Sequence, residues 1–441
     1  MPLSKKIGIV TSTLPVIAKT RPNKLMATFA VILVFPIFFQ LNGKIFNDPS
    51  LVFESVGQLS RLPIPISVFA CFGGLFLIRD LKNSKKSIYM LFLTFLFMLG
   101  TALISAQRPF SNLRDKLILM VQFLLPMLAL ILGQVFESEQ MNSKLFEKTA
   151  IFVLLILVPC QLISTWLSGL PVLSPYLYAF SIYQQLQYVP GIFVCLYLLA
   201  LYSLWDTGYY KMILFIFASL IGAYAVFSTS ILTNVLLYSG IFLFAGLRFY
   251  RTHHTLPLLL TLVVICTSVG TLHIMRKDST VHIQYLQKID IPSSNPVIID
   301  NKILSHNVPH SSHRMKIWKH FINEIVSNPK MFFFGSPKRP DRNEYASAHN
   351  YYLDLAYNFG ILSLLPIIGM LILTIKKVFS SRKEVFSDSF MLGLVFVTFF
   401  ILLIDNSLKV GLRQPYPGII SFFLWGFLLS RLSLRKAGES V

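Results

Sequence analysis

Long apolar runs recur along this chain of 441 residues, and they constrain its fold more than any other feature. A helix needs about 20 largely apolar residues to cross a bilayer, where every backbone polar group must be satisfied without water. At that length the sequence predicts about twelve spans in an all-α, polytopic membrane protein. Their bounds are 26–42, 64–78, 88–105, 117–136, 149–170, 188–205, 212–227, 231–247, 256–274, 351–375, 389–404 and 416–430.

Composition agrees with a membrane protein and argues against a nucleic-acid binder. The chain is 54% hydrophobic and 13% charged, with a mean hydropathy of +0.65, far from ordinary soluble composition. Its formal net charge is +20, but the Lys and Arg residues lie in short clusters between apolar runs. That placement orients membrane proteins, so we expect no nucleic-acid partner. The four cysteines lie inside apolar runs, and we expect no disulfide or zinc framework.

The basic residues of the short loops predict the orientation. They concentrate on alternate loops, which places both termini in the cytoplasm. The first apolar run follows a polar, Lys-bearing segment without a small-residue cleavage site, and is read as a retained span. Residues 1–274 then hold spans 1 to 9, residues 275–350 form one large outer loop, and residues 351–441 hold spans 10 to 12. A polar connection of that length usually signals function or disorder.

The second half of the loop carries a helical pattern. Apolar residues recur at helical spacing within 314–327, namely Ile317, Trp318, Phe321, Ile322 and Ile325. Ser311 or Ser312 is the expected N-cap, and Ser327-Asn328-Pro329 is the expected stop. The pattern predicts an amphipathic helix on or near the membrane surface, with basic residues toward headgroups or a ligand.

His349 lies where the loop enters the tenth predicted span, and it is the candidate base. A histidine has an ordinary pKa of about 6.5 and can accept a proton near neutral pH. Helical spacing places Asn350, Asp354 and Asn358 on one stripe, which should face protein or a water-filled cavity. In the alternative interpretation, His349 is an interfacial residue and the stripe only binds neighbouring helices.

Outer-loop arginines are the candidate anion ligands, because a guanidinium can hold a phosphate with two parallel N–H donors. They are Arg314, Arg339 and Arg342 in the large loop, and Arg108, Arg114 and Arg413 elsewhere. A lipid headgroup contact or a solvated charge is the alternative for each.

Metal binding is not expected. His306, His310 and His313 have no carboxylate or Cys to complete a shell.

Asp405 lies at the outer end of the eleventh predicted span. It is read as an interfacial cap, or as lining the same cavity as the stripe at the head of the tenth span.

Together these motifs resemble the O-antigen ligase and O-antigen polymerase family. The resemblance rests on residues 314–365: Arg314 and Trp318 on the loop helix, a turn at Gly335, and His349-Asn350 opening a span that contains Gly360. It implies a metal-independent, inverting glycosyltransferase of the bacterial inner membrane that needs no cofactor. The donor would be an undecaprenyl-pyrophosphate-linked glycan, and the acceptor a lipid-linked repeat or lipopolysaccharide core. The active site would face the periplasm.

Residue roles follow from the resemblance. His349 would take the acceptor proton and Arg314 would bind the pyrophosphate, with Asn350, Asp354 and Trp318 contributing to substrate binding. The family often carries a further Arg in a mid-chain Ser-Arg pattern, where this chain has Phe227-Ser228-Thr229-Ser230. Arg108, Arg339 or Arg342 would then complete the phosphate site.

Other functions stay open on the sequence alone. Polymerase and ligase share a donor and differ in acceptor. A transporter or flippase of lipid-linked or small polar solutes is the competing class, although its spans would more often carry deep ionisable residues and matched broken helices. A structural scaffold would leave the His and Arg pattern without a purpose.

Overall fold

Helices dominate the computed structural model. The residues that it describes are 24–36, 38–40, 63–76, 85–106, 113–137, 140–168, 176–177, 182–183, 188–228, 230–288, 311–337 and 347–438. The helices before the large loop are α1 (Lys24–Val34), α2 (Ser67–Phe76), α3 (Lys85–Ala106), α4 (Leu113–Met127), α5 (Ala129–Glu137), α6 (Gln140–Ser168), α7 (Val189–Leu204), α8 (Gly208–Phe227), α9 (Ile231–Thr252) and α10 (Leu256–Lys288).

The remaining helices belong to the loop and the C-terminal part. They are α11 (Ser311–Ser327), α12 (Pro329–Phe334), α13 (Tyr351–Ser380), α14 (Arg382–Ser387), α15 (Ser389–Phe399), a π-helix (Phe400–Asp405), α16 (Asn406–Leu408), a 3-10 turn (Gly411–Arg413) and α17 (Pro415–Gly438). Two short antiparallel pairs add β1 (Phe38–Gln40) with β2 (Pro63–Pro65), and β3 (Tyr176–Leu177) with β4 (Ile182–Tyr183). The predominantly helical fold agrees with the sequence prediction.

Eight helical segments of the described chain are long and apolar enough to cross a membrane. They are Lys85–Ile104, Lys116–Phe136, Lys144–Ile163, Gly208–Phe227, Ile231–Thr252, Leu256–Ile274, Tyr351–Ser380 and Ser389–Leu408. Each overlaps a predicted span, and the chain is by this criterion a multi-pass membrane protein. Of the other four predicted spans, α7 is apolar but has only 16 residues, while α1 and α2 are shorter still. The helix α17 covers the last. The total of about twelve stays a prediction.

The helix α7 lies at the centre of the bundle. It is apolar on all sides, and nearly every residue along it is buried, as expected for a helix surrounded by other helices. It packs against α6, α8, α9, α15 and α17. Its first turn begins beside Tyr188, and this end of α7 forms one wall of the cleft described below.

Glycines let α5 and α17 cross at backbone contact. A Cβ on Gly133 would overlap the carbonyl of Phe423, and a Cβ on Gly426 would overlap the carbonyl of Leu130. Small residues at such crossings are a common way for membrane helices to pack closely. The crossing fixes α17, whose N-terminal end follows the segment that carries Arg413.

The helix α13 is broken at Gly360, which has φ 78° and ψ 168°. The break frees carbonyls that an intact helix would satisfy, and three of them accept from donors elsewhere in the protein. Ser336 N–H donates to Tyr357 O (2.6 Å), the buried Lys116 Nζ donates to Asn358 O (2.6 Å), and Thr101 Oγ1 donates to Phe359 O (3.1 Å). Lys116 Nζ also donates to Ser336 O (2.6 Å), which ties α4, the turn after α12 and the broken span together.

The loop helix predicted over 314–327 is α11, and it begins earlier, at Ser311. The predicted caps Ser311 and Ser312 therefore lie within the helix, while the stop at Ser327 is confirmed. Asn328 then caps α12, its Oδ1 accepting from Lys330 N at 2.9 Å. The helix α11 buries Ile317, Phe321 and Ile325 against the protein, whereas Met315, Ile322 and Val326 are exposed.

The start of the large loop also differs from the sequence prediction. The predicted span 256–274 is the first part of α10, which continues as helix to Lys288. Residues 289–310, the rest of the first half of the loop, lie outside the described residues. The predicted separation of the seventh and eighth spans is confirmed, because α8 ends at Phe227 and α9 begins at Ile231.

Candidate functional site

The head of α13 holds His349 on a fixed backbone. Asn350 is the N-cap, and its Oδ1 accepts from Tyr352 N (3.0 Å) and Leu353 N (3.1 Å). His349 itself has a positive φ of 47°, and its N–H donates to Ser347 Oγ at 3.3 Å. A left-handed non-glycine residue is uncommon and persists only where its surroundings hold it. The His349 side chain is half-buried.

The helix α11 docks on this head through Trp318 and Arg314, which lie one helical turn apart. Trp318 Nε1 donates to Ala348 O at 2.9 Å, directly before His349 in the chain. Arg314 Nη1 donates to Leu408 O at 3.2 Å, at the end of α16. The tryptophan and the arginine of the loop helix therefore connect the His349 turn with the chain segment that follows the π-helix.

That segment, residues 405–413, supplies two further cations. Lys409 Nζ lies 3.0 Å from Asp405 Oδ1 and donates to Ser230 Oγ at 3.3 Å. Arg413 forms an ion pair with the buried carboxylate of Asp354, which also faces the backbone N–H of Ala348. The π-helix displaces the backbone here, and such helices occur often at functional sites.

Asn406 fixes the shape of the same segment. Its Nδ2 donates to Ile401 O (2.9 Å) and its Oδ1 accepts from Leu412 N (2.8 Å), so one side chain joins the π-helix to the 3-10 turn. Tyr352 OH donates to Leu402 O at 2.6 Å and connects α13 with the π-helix. The segment that carries Lys409 and Arg413 is therefore fixed to the π-helix, which in turn contacts α13 just after His349.

Charge in this region is positive overall. Lys409 pairs with Asp405 and Arg413 pairs with Asp354, whereas Arg314 donates to a backbone carbonyl, which leaves one excess positive charge among these five groups. Partial burial lowers the pKa of the Arg314 guanidinium from its ordinary value, because desolvation disfavours the charged form. An arginine starts so far above neutral that it stays protonated at physiological pH.

A cleft opens beside this charged group, between α7, α9, the π-helix and α17. The space within it that water molecules can occupy is about 20 Å³, room for roughly one water. Its polar lining includes Tyr188, Thr233, Asp405, Asn406 and Ser421, and its apolar lining includes Leu232, Leu236 and Phe400. Asp405 thus belongs to both the cleft and the ion pair with Lys409, but the stripe residues Asn350, Asp354 and Asn358 do not line this cleft.

The structure brings some of the predicted site residues together. His349, Asn350, Asp354, Arg314 and Trp318 lie at one junction of α11, α13 and the 405–413 segment. Within it, Asn350 caps a helix, Asp354 pairs with Arg413, and Trp318 binds a backbone carbonyl. The predicted stripe continues to Asn358, whose Nδ2 donates to Asp354 O at 2.7 Å. Arg108, Arg339 and Arg342 lie outside the described residues, and the side chain of Arg114 does too.

Two lysines of this region were missed by sequence reasoning. Lys409 follows a predicted span and looks like an ordinary interfacial lysine, yet it is buried between Asp405 and Ser230. Lys116 precedes a predicted span and looks the same, yet it is buried under the break in α13. No local pattern distinguishes either from a lysine at a membrane surface. The partners of Lys116 and the Ser230 partner of Lys409 lie far away in the sequence, and Asp405, four residues before Lys409, could equally form an exposed pair.

Comparison with known proteins adds no family. No protein-family model matches this sequence, and no curated protein matches it either. Among the described residues, no group of three His, Cys, Asp or Glu side chains is placed to hold a metal ion. The multi-pass helical fold and the junction of the His349 turn with α11 and the 405–413 segment are the observations that bear on function.

Proposed function

We propose that this chain is a membrane glycosyltransferase of the O-antigen polymerase or O-antigen ligase type. It would transfer an undecaprenyl-pyrophosphate-linked oligosaccharide to an acceptor sugar hydroxyl in surface polysaccharide biosynthesis, at the periplasmic face of the bacterial inner membrane. One observation carries the proposal: the Arg314 turn of α11 lies against both Ala348, which precedes His349, and Leu408, which precedes Lys409.

The chemistry needs a base and fixed positive charge on one surface. His349 accepts the proton of the acceptor hydroxyl while that oxygen bonds to the anomeric carbon from the side opposite the leaving group. The bond between the anomeric carbon and the pyrophosphate oxygen breaks, and the pyrophosphate leaves with the electron pair. Arg314 stabilises that developing negative charge with two N–H donors, a role that needs no metal. The anomeric configuration is inverted.

Lys409 takes the place of the missing mid-chain arginine in this proposal. The turn between α8 and α9 lacks an Arg, but Lys409 Nζ reaches Ser230 at its end. A cation therefore lies beside the mid-chain turn although it comes from a different part of the chain. An ammonium is a point charge rather than a planar fork, so it would neutralise a phosphate oxygen without bidentate geometry.

The acceptor stays open between the two activities. A polymerase would extend one lipid-linked repeat with another, whereas a ligase would use the core sugar of lipopolysaccharide. A deletion strain that retains a single capped repeat would select the polymerase.

A transporter or flippase is the second candidate, and the broken span α13 is the observation that favours it. Transporters often place substrate at the free backbone groups of broken helices. In α13, the carbonyls of Tyr357, Asn358 and Phe359 already accept from Ser336, Lys116 and Thr101. These groups are engaged within the protein, which is the reason to prefer the transferase.

The test is a transfer assay on purified protein in lipid nanodiscs, with a lipid-linked oligosaccharide as donor and mass spectrometry of the products. His349→Ala should lower the transfer rate about 100-fold or more, because a positioned base contributes roughly that much. The matched control is His254→Ala, at an exposed position between α9 and α10, which should keep full activity. Near-normal transfer by His349→Ala would refute the base role. Movement of intact donor across vesicles without turnover would support the transporter instead.

A further inference from the structure

We propose that α11 and α12 dock on the phospholipid leaflet beside them through exposed apolar side chains. The lipid-docking surface consists of Ile322 and Val326 on α11 and of Phe333 and Phe334 on α12. The two helices are separated by Asn328 alone and pack against each other. Such a surface would hold the end of the large loop at the membrane whether or not the chain transfers sugars.

The helix α11 has three faces, whereas an ordinary amphipathic helix has two. The buried face packs against the protein and consists of Ile317, Phe321 and Ile325. The exposed apolar face consists of Met315, Ile322 and Val326, the last two being 49% and 66% exposed. The exposed polar face consists of Lys316, Asn323 and Ser327. A helix that lies between protein, lipid and water needs these three faces.

The helix α12 exposes aromatic side chains. None of the residues of Pro329–Phe334 is buried, and Phe333 and Phe334 are 45% and 36% exposed. Soluble surfaces seldom expose large apolar side chains together, and such patches mark places where a protein or a membrane binds. Phenylalanine on the apolar face of a helix is typical of segments that lie at the boundary between headgroups and acyl chains.

The break in α13 places α12 at a membrane boundary. A Cβ on Gly360 would overlap the carbonyl of Phe333, so the end of α12 contacts α13 at the break. Residues 361–380 form the rest of α13, and that length of helix covers about 30 Å, the thickness of a hydrocarbon core. Lys376 and Lys377 lie near the far end of this segment, so the break and α12 lie at the opposite boundary.

The membrane span α3 lies beside α12. The two helices are in contact, and Thr101 Oγ1 of α3 donates to Phe359 O, next to the break, at 3.1 Å. Close to Thr101, α3 exposes the side chains of Leu103 and Ile104. Exposed apolar side chains on a membrane span have acyl chains as their surroundings. Lipid therefore reaches the level of α12.

The charge of α11 and α12 complements a phospholipid headgroup. Residues 311–334 hold one carboxylate, Glu324, and Tyr357 OH donates to it at 2.8 Å, so Glu324 faces α13. The exposed cations of the two helices are Lys316, Lys319 and Lys330. A lysine can lay its methylene groups along apolar surface while its ammonium reaches a phosphate. Phosphate-bearing lipid therefore fits this surface, whereas a basic protein partner does not.

Electron paramagnetic resonance tests the lipid-docking surface. The sample is full-length protein in nanodiscs of phosphatidylethanolamine and phosphatidylglycerol, with one protein in each disc. A nitroxide is attached to Ile322→Cys or to Phe333→Cys in a background without the four native cysteines. Molecular oxygen concentrates in lipid, whereas a nickel chelate stays in water. At both positions the label should be relaxed strongly by oxygen and weakly by the nickel chelate.

The matched control is Asn323→Cys, which follows Ile322 in the chain but lies on the polar face of α11. The nickel chelate should relax a label there more strongly than oxygen does. Each labelled protein should also unfold at the temperature of the cysteine-free protein, which shows that the label leaves the fold intact.

Two results would overturn the lipid-docking surface. Strong relaxation by the nickel chelate at position 322 or 333 would mean that this part of the surface faces water. Weak relaxation by both reagents at either position would mean that another part of the chain covers it.

Discussion

Contacts to the backbone of Ala348 hold the neighbouring residue His349 in place. The Ala348 carbonyl accepts from Trp318, and its N–H faces the Asp354 carboxylate, which is itself paired with Arg413. Both backbone polar groups of Ala348 are therefore engaged just before His349, whose φ of 47° places it in the left-handed region. The His349 imidazole can rotate about its side-chain bonds, but the Cα of His349 has little freedom to move.

Arg314→Lys tests whether the planar fork matters at the residue level. The variant keeps a positive charge but loses the bidentate geometry, so transfer at pH 7.5 should fall about ten-fold. Burial lowers the pKa of the Arg314 guanidinium, and the same desolvation acts on an ammonium, whose ordinary pKa is only about 10.4. The ammonium of the variant is charged when protonated, so raising the pH above its lowered pKa removes the charge. The variant should therefore lose activity further toward alkaline pH, where the wild type does not.

The measurement is the transfer rate as a function of pH for wild type, Arg314→Lys and the control Arg382→Lys. Arg382 is exposed in α14, and its replacement should change neither the rate nor the profile. A fully active Arg314→Lys enzyme with the wild-type pH profile would count against pyrophosphate binding by Arg314.

At the scale of elements, two glycines join the loop to a span. Gly335 follows α12 with φ 74°, and a Cβ there would lie 2.6 Å from Phe359 N. Gly360 breaks α13 with φ 78°, and a Cβ there would overlap the carbonyl of Phe333. Each glycine lies against the backbone next to the other, so the loop and the membrane helix meet without intervening side chains.

Gly360→Ala should destabilise the protein by about 3 kcal/mol or more, because it combines a glycine-only backbone conformation with a steric overlap. The apparent unfolding temperature of purified full-length protein measures this. Gly246→Ala is the control, since no atom lies within 4 Å of the added Cβ in that helix. It should leave the unfolding temperature equal or slightly raised. Equal behaviour of the two variants would mean that the crossing carries no strain.

The sequence predicted α11 and the head of α13 because their signals are local. Apolar spacing predicts the first, and a long apolar run after residue 350 predicts the second, whereas the N-cap role of Asn350 came only from the structure. The sequence did not predict the roles of Lys116 and Lys409, because Ser336, Asn358 and Ser230 lie far along the chain, and it did not predict the π-helix. The pairing of Asp354 with Arg413 was missed for the same reason, although both residues had been noted separately.

At the scale of the whole molecule, the orientation in the membrane decides whether the proposed donor can reach His349. The basic residues of the short loops predict that α11 faces the outside and α14 the cytoplasm. Eight apolar helical segments among the described residues agree with repeated crossing, but do not fix its direction.

Cysteine labelling in intact spheroplasts measures that direction. Asn323→Cys and Lys383→Cys, each in a background without the four native cysteines, place a thiol at an exposed position of α11 and of α14. A membrane-impermeant maleimide should label the first variant and not the second, while both should react after permeabilisation. Labelling in the reverse order would place His349 in the cytosol and remove the basis for a donor that waits in the periplasm.

The backbone contact at Gly335 and Gly360 also limits which segments can be exchanged between related proteins. Ser336 and Lys116 complete hydrogen bonds that the broken span cannot make for itself, so the last part of the loop serves as interior support for a membrane helix. A chimera that exchanged residues 275–350 alone would pair one protein's turn with another protein's break. Loop exchanges meant to alter acceptor choice should therefore move residues 329–360 and the partner at position 116 as one unit.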